Sequence, residues 1–311
     1  MNRKRLTLWY LAAALLVACR PSDAADPGRG IRILTSVFPL KEFAAAIVGD
    51  RGEAALLLPP GAGVHTWQPR AGDLVRLAEC DLLIYIGANL EPWLPGLLKG
   101  LADRRPETLE ASAGLELMRS GGAEGEAGYH DDAHGPFDPH IWLDPDMAAH
   151  IVAAIRGRLE ALDPEGASDF QRNAATLEER LRDLDVRYRE GLRSCSGKVV
   201  VLAGHAAFGY LASRYGLEQV ALYGASPDSQ PTPAELIEVV KKGRARGIRA
   251  VFTESSASPA LAKSLARELG VRILVLNPGH NLTRAEIRAG VTFFDIMEAN
   301  LRSLEDGLGC R

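Results

Sequence analysis

The feature that most constrains this chain is a rhythm of apolar strands and amphipathic helices that runs twice and is interrupted once. In the first run the strand of "IRILTSVFPL" stops at Pro39 and "KEFAAAIVGD" has helical spacing. "EAALLLPPG" is a strand halted by Pro59 and Pro60, "RAGDLVRLAEC" is helical, "DLLIYIG" is a strand apolar on both faces, and "PWLPGLLKGLAD" is helical again. Strands of this kind, spaced by helices, belong to parallel sheets covered on both sides. The rhythm restarts at "VVVLAG" and continues through "AAFGYLASRYG", "QVALYG", "TPAELIEVVKKGRARG", "IRAVFTE", "SPALAKSLARELG" and "VRILVLNPG". Thr232 is placed to cap one of these helices, with Pro233 in its first turn. "TRAEIRAGVTFFDIMEANLRSLEDGL" is expected to close the chain as one long helix.

Between the two runs, "DMAAHIVAAIRGRLEAL" is helical. "ASDFQRNAATLEERLRDLDVRYREGLRSC" is long and polar, with a narrow apolar stripe at Phe170, Leu177, Leu181, Leu184, Val186, Tyr188 and Leu192. A helix of about 27 residues would run roughly 40 Å, longer than a lobe needs. The expected fold is therefore α/β, with two lobes joined by one long rigid helix, each lobe a mainly parallel sheet flanked by helices. The expected boundaries are an N-terminal lobe at 31–166, a linking helix at 167–194 and a C-terminal lobe at 195–311. Ser120–Gly135 has no periodicity and is expected to be a surface loop.

The start of the chain lies outside this scheme. "MNRKR" and then "LTLWYLAAALLVA" have the basic and apolar regions of a secretory signal, too short for a comfortable membrane span. The segment ends in "LVAC", which resembles a bacterial lipobox. That resemblance implies that residues 1–18 are removed, that Cys19 carries lipid, and that residues 19–30, rich in Pro, Gly, Asp and Ala, form a tether. The product would be extracytoplasmic and membrane-anchored, in the periplasm or at the cell surface. Export permits disulfides, and a bridge from Cys195 to Cys310 would tie the tail to its own lobe. Cys80 starts an apolar strand and is expected to be a buried thiol. With 36 basic against 40 acidic residues the chain shows no nucleic-acid footprint. It also lacks GxGxxG after a strand, a Walker A motif and GxSxG, the usual marks of nucleotide binding and serine hydrolysis.

Parallel α/β sheets bind ligands beyond the carboxyl ends of their strands. Four of the seven histidines fall there. His65 lies in the loop after "EAALLLPPGAGVH", His140 sits between two Asp-Pro pairs in "FDPHIWLDP", His205 ends "VVVLAGH", and His280 follows Asn277 in "ILVLNPGH". Two come from each lobe, so one pocket between the lobes can gather all four. Imidazoles suit zinc, which takes four ligands tetrahedrally, whereas manganese favours carboxylates. Trp67 and Trp142, two residues after His65 and His140, could pack behind the rings. His150, on the following helix, is expected to be structural.

"TSVFPLKEFA", "GVHTWQP", "DLLIYIGANLEPWL", "DPHIWLDP", "GHAAFGYLASRYGL" and "FTESSASPALAKSLARELG", in that order along nearly the whole chain, resemble the cluster A-I, ZnuA/TroA-like substrate-binding proteins of metal-ion ABC importers. The resemblance implies that His65, His140 and His205 are metal ligands. In its manganese-preferring members the third position is usually glutamate, so His205 points to zinc. Many members carry aspartate where this chain has Asn277, which leaves water, His280 or Glu254 to complete the site. It further implies a monomeric binding protein that is not an enzyme and that serves an ABC-type metal permease. A loop rich in His and acid often precedes the "DPHIW" ligand in zinc-binding members. Here His130, Asp131, Asp132 and His134 could collect zinc weakly. Affinity is expected to fall as pH drops towards 6, because imidazoles bind metal unprotonated. The competing readings are a manganese or other divalent-metal binding protein of the same family, a zinc hydrolase with Glu254 as base, which lacks the His-Glu-x-x-His motif, and a surface adhesin.

Overall fold

The computed structural model describes residues 29–101, 104–120, 135–222, 232–254 and 259–310. The leader, Cys19, most of the tether and the His130/His134 segment lie outside the described residues. Among the described residues no helix is long and apolar enough to cross a membrane.

The first lobe is built from β1 (Ile31–Thr35), α1 (Phe38–Val48), β2 (Gly52–Leu56), α2 (Ala71–Glu79), β3 (Leu82–Tyr85), α3 (Leu94–Gly100) and β4 (Glu107–Glu110). Its sheet is all parallel, in the order β2-β1-β3-β4. After α4 (Pro145–Leu162) and α5 (Ala167–Arg193) come β5 (Val199–Leu202), α6 (Gly209–Arg214), β6 (Glu218–Ala221), α7 (Pro233–Ala245), β7 (Ala250–Thr253), α8 (Pro259–Leu269) and β8 (Arg272–Val275). The second sheet is also parallel, in the order β6-β5-β7-β8. In each sheet the order reverses between the two central strands, β1/β3 and β5/β7, which opens a crevice at their carboxyl ends.

Three expectations need correction. The closing helix is two helices, α9 (Arg284–Ala289) and α10 (Phe293–Leu308). Gly290 ends the first in the left-handed region, and Thr292 caps the second through a reciprocal capping box with Asp295. That break costs little, because Gly adopts positive φ readily and the cap satisfies the new N-terminal amides. β4 was not expected: "ETLE" is short, polar and on the sheet edge, so no apolar run announces it. Third, Val186 does not belong to the stripe of α5.

The 27-residue α5 packs against α1 and α4 of the first lobe and α10 of the second. Its buried positions are Phe170, Ala174, Leu177, Leu181, Leu184, Tyr188 and Leu192, a run of threes and fours that keeps one face inward. Val186 is two residues past Leu184, on the far side, and half exposed at 50%. Period two in the second sheet divides its side chains. Val200, Leu202, Ala250 and Phe252 join a core that continues through α5 and α10 into the first lobe, whereas Val199, Val201 and Val251 meet Ala262 and Leu265 in a separate, smaller cluster. The lobes therefore share one apolar core. Cys195, just past α5, is bonded to Cys310, just past α10. Cys80 is a buried free thiol, pushed up to about 11 chiefly by burial.

The two faces of α5 give a contrast testable by denaturant unfolding. Leu184→Ala is expected to destabilise by about 2–5 kcal/mol through the cavity it leaves. Val186→Ala should stay within about 0.5 kcal/mol, because it removes no buried contact.

Candidate metal centre

The carboxyl ends of the two sheets face each other, and the loops leaving them carry three histidines to one point. His65 comes from the loop between β2 and α2, His140 from the connection between β4 and α4, and His205 from the third position after β5. All three are buried, and they offer ring nitrogens that lie within 4.8 Å of one another. The ring centroids are separated by 5.8 Å (His65–His140), 5.7 Å (His65–His205) and 5.1 Å (His140–His205). The Nε2 atoms of His140 and His205 face each other at 3.2 Å. Two nitrogens bound tetrahedrally to one zinc at about 2.0–2.1 Å would stand about 3.3 Å apart.

Each of these two rings is held from behind by a carboxylate. Asp138 Oδ1 accepts the Nδ1–H of His140 at 2.8 Å and its backbone N–H at 2.9 Å. Glu254 Oε1 accepts the Nδ1–H of His205 at 2.7 Å and its backbone N–H at 3.0 Å. An acceptor at Nδ1 fixes the tautomer that leaves the Nε2 lone pair free, the usual outer support of a metal-binding histidine. Local sequence explains both pairs. In "DPHIWLDP" Asp138 folds back on the amide two residues ahead, the short turn Ile141–Leu143 follows, and Asp144 caps α4 through the amides of Asp146 and Met147 with Pro145 in the first turn. In the second lobe His205 follows β5 and Glu254 follows β7, so the pair straddles the point where the strand order reverses. Gly204 makes this approach possible, since a Cβ there would lie 2.4 Å from Glu254 Oε1.

Burial dominates the electrostatics. It holds His140 well below the ordinary histidine value, helped by the nearby His205 and His280, so this ring is neutral and ready to donate its lone pair. It pushes Asp138 up to about 7, against the pull of the His140 amide and of His205. Burial would push Glu254 up as well, but the field of His205 and the hydrogen bonds from it outweigh that and keep the carboxyl below its usual range. A dication among the rings would thus meet two buried carboxylates one imidazole away, which offset the cost of burying its charge.

The remaining expected residues fall into place around this trio. His280 is beside it, its ring 6.4 Å from that of His205. Burial lowers its pKa to about 4, and its buried Nδ1 makes no hydrogen bond. Asn277 turns its Oδ1 to the amide of Gly279, and its backbone is paired with Asn300, so it shapes the loop after β8. Glu254 serves as the support of His205, a role that places it behind the ring, away from the convergent Nε2 atoms. Trp142 packs 5.3 Å from His140 and donates its indole N–H to the carbonyl of Pro278 in the other lobe. Trp67 instead meets Trp93 edge-on at 4.7 Å. Trp93, which the sequence reading passed over, donates to the carbonyl of Val64 and so anchors the residue before His65. His150 sits on the exposed side of α4, bonded to the carbonyl of Asp146.

Residues 33–307 match the family model described as "Zinc-uptake complex component A periplasmic". The zinc-binding lipoprotein AdcA of Streptococcus pneumoniae is 38% identical over 309 residues, and the match takes in 98% of this chain. The chain spans 61% of that relative's length. The high-affinity zinc uptake system protein ZnuA of Bacillus subtilis is 32% identical over 317 residues, 99% of both chains. Among solved structures, the Zn(II)-bound ZnuA-like domain of S. pneumoniae AdcA superposes with a TM-score of 0.75 at 36% identity, covering 90% of this chain and 99% of that one.

The raised pKa of Asp138 adds to the expected pH dependence. Burial holds His140 well below the ordinary histidine value, so at this ring acid competes with a cation through the carboxylate behind it. A bound dication lowers the pKa of Asp138. Zinc binding should therefore release up to about one proton from this group near pH 6.5 and almost none above about pH 8.5. Calorimetry in buffers of different ionisation enthalpy reads that number directly, and Asp138→Asn should flatten its dependence on pH.

Proposed function

This chain belongs to the ZnuA family of periplasmic zinc-uptake components, and from that premise we propose that it captures zinc with high affinity outside the cytoplasm and delivers it to an ABC-type metal permease. Zinc is the cargo, held by His65, His140 and His205, with His280 as the fourth donor. The observation that carries this reading is the convergence of three buried imidazoles, two of them with their Nε2 atoms 3.2 Å apart and their Nδ1 protons taken by carboxylates. Four neutral nitrogen donors favour zinc over manganese, which prefers carboxylate oxygen. The unpartnered, buried Nδ1 of His280 supports its place in the set.

The rest of the proposal follows the same line. Lipid on Cys19 anchors the protein, residues 19–30 tether it, and the lobes at 31–166 and 195–311 close the site about the helix at 167–194. It works as a monomer and performs no hydrolysis, since Glu254, the base that a hydrolase reading invokes, is committed to His205. Closure is slight, because a shared core and hydrogen bonds join the lobes around the site: backbone bonds from Phe38 N–H to His280 O and from Gly61 N–H to Leu282 O, and bonds from the Asn281 side-chain amide to the carbonyls of Pro59 and Ala62.

Competitive titration with zinc and manganese tests the reading. The purified chain should bind one zinc tightly and prefer it to manganese. His140→Ala and His205→Ala should each cost more than the roughly 10–100-fold typical of losing an outer carboxylate, and His280→Ala should cost less than either. Manganese preference, or binding indifferent to these variants, would overturn it.

A further inference from the structure

The residue whose carboxylate orients His140 is held through its backbone by the opposite lobe. Tyr210, in the first turn of α6, is buried, and its hydroxyl is fully used on the first lobe. It donates to the carbonyl of Asp138 at 2.8 Å and accepts the backbone N–H of Met118 at 3.0 Å. The preceding residue completes the cradle. Gly209 lies against Asp138 so closely that a Cβ would stand 2.6 Å from Oδ2. Met118 and Asp138 are themselves paired, Asp138 N–H to Met118 O at 2.9 Å, and Ser120 N–H bonds Pro136 O alongside. Residues 118–120 and 136–138 thus form a two-stranded stem, clipped at one end by a single phenol from the other lobe. That phenol lies five residues beyond His205, another member of the trio.

We infer that Tyr210 is a positioning residue that couples lobe geometry to metal retention: it holds Asp138 in place for His140 only while α6 and the stem of residues 118–120 and 136–138 stay together. This rests on the zinc-binding reading above. Small separation of the lobes at α6 breaks both bonds of the phenol at once. Asp138 then moves off Gly209, the Nδ1–H of His140 loses its acceptor, and the ring turns from the metal. Retention of the ion becomes a function of how the lobes are docked, so a partner that prises α6 from the stem would release the ion without touching a ligand. The residue touches no ion itself. Its effect appears in dissociation, because the bond exists only in the docked state, while capture by His65 and His205 proceeds regardless.

The test is stopped-flow release of zinc to an excess of chelator, with association measured separately, on the full chain and four variants. Tyr210→Phe removes one oxygen and is expected to speed dissociation by about tenfold, the lower end of the range for outer groups of a metal site, with association changed by less than about twofold. Tyr188→Phe serves as a control, since it loses a buried phenol bond made to the carbonyl of Met297 and not to Asp138. It should leave both rates unchanged. Asp138→Ala should release faster still, and adding Tyr210→Phe to it should change nothing further, as two residues acting through one contact are not additive. A wild-type rate in Tyr210→Phe, an equal effect in Tyr188→Phe, or a full effect on the Asp138→Ala background each overturns the inference while the zinc site stands. Failure of the unmutated chain to bind zinc would overturn the functional reading and this inference with it.

Discussion

A buried imidazole offers its lone pair to a cation from a fixed nitrogen when an acceptor holds the proton on the other one. The rest of this structure follows from that requirement. Two carboxylates, Asp138 and Glu254, meet it for His140 and His205, and each also accepts the backbone amide of the residue it serves. The same oxygen therefore sets the position of the chain, the tautomer of the ring and part of the charge that a dication needs nearby. Placing two carboxylates in a buried interface is costly by itself, as the elevated Asp138 shows. The arrangement makes physical sense as half of an ion site whose other half is a cation.

The two lobes supply these parts unequally but in a related way. In the second lobe the crevice between the central strands holds Glu254, which faces His205. In the first lobe the equivalent crevice holds Glu91. Its carboxylate accepts from Ser36 after β1 and from the amides of Ile86 and Gly87 after β3, and burial lifts it to about 7. Glu91 spends its hydrogen bonds on loop geometry, including the left-handed turn through Gly87, Ala88 and Asn89. One crevice thus became a ligand support and the other a loop anchor. The first lobe brings its histidines instead from longer connections, His65 fixed through Trp93 and Val64, His140 through Asp138.

Much of this was legible in the sequence for a definite reason. Strands buried on both faces announce themselves by continuous apolar runs, and a parallel α/β sheet dictates where its loops gather. Finding histidines after "LLLPP", "VVVLAG" and "VLNPG" was therefore enough to bring His65 and His205 together and to place His280 nearby. The long helix declared itself by length and polarity. What escaped was local or tertiary. The break before α10 was written in "GVTFFD", a capping signature overlooked inside a helical pattern. The edge strand β4 has no apolar run to find. Val186 was a matter of angle around α5, and two residues off the stripe suffices to expose it. Glu254 was visible as a chemical group, but whether a carboxylate binds a metal or the back of a histidine depends on which side of the ring it reaches. Tyr210 gave no signal, because its partners are backbone atoms about 70 and 90 residues away in the chain.

The bond between Cys195 and Cys310 has a consequence for how such a chain comes into being. A polypeptide emerges N-terminus first, so the sheet of the first lobe, complete by Glu110, can assemble while the second is still arriving. The two sulfurs are 115 residues apart, and all four strands of the second sheet lie between them. Oxidation therefore comes late and encloses that lobe as a ring attached to the foot of α5. Once closed, the ring keeps the ends of α5 and α10 together even when the lobe frays, so its fragments stay within reach of one another and of the helix that guides their return.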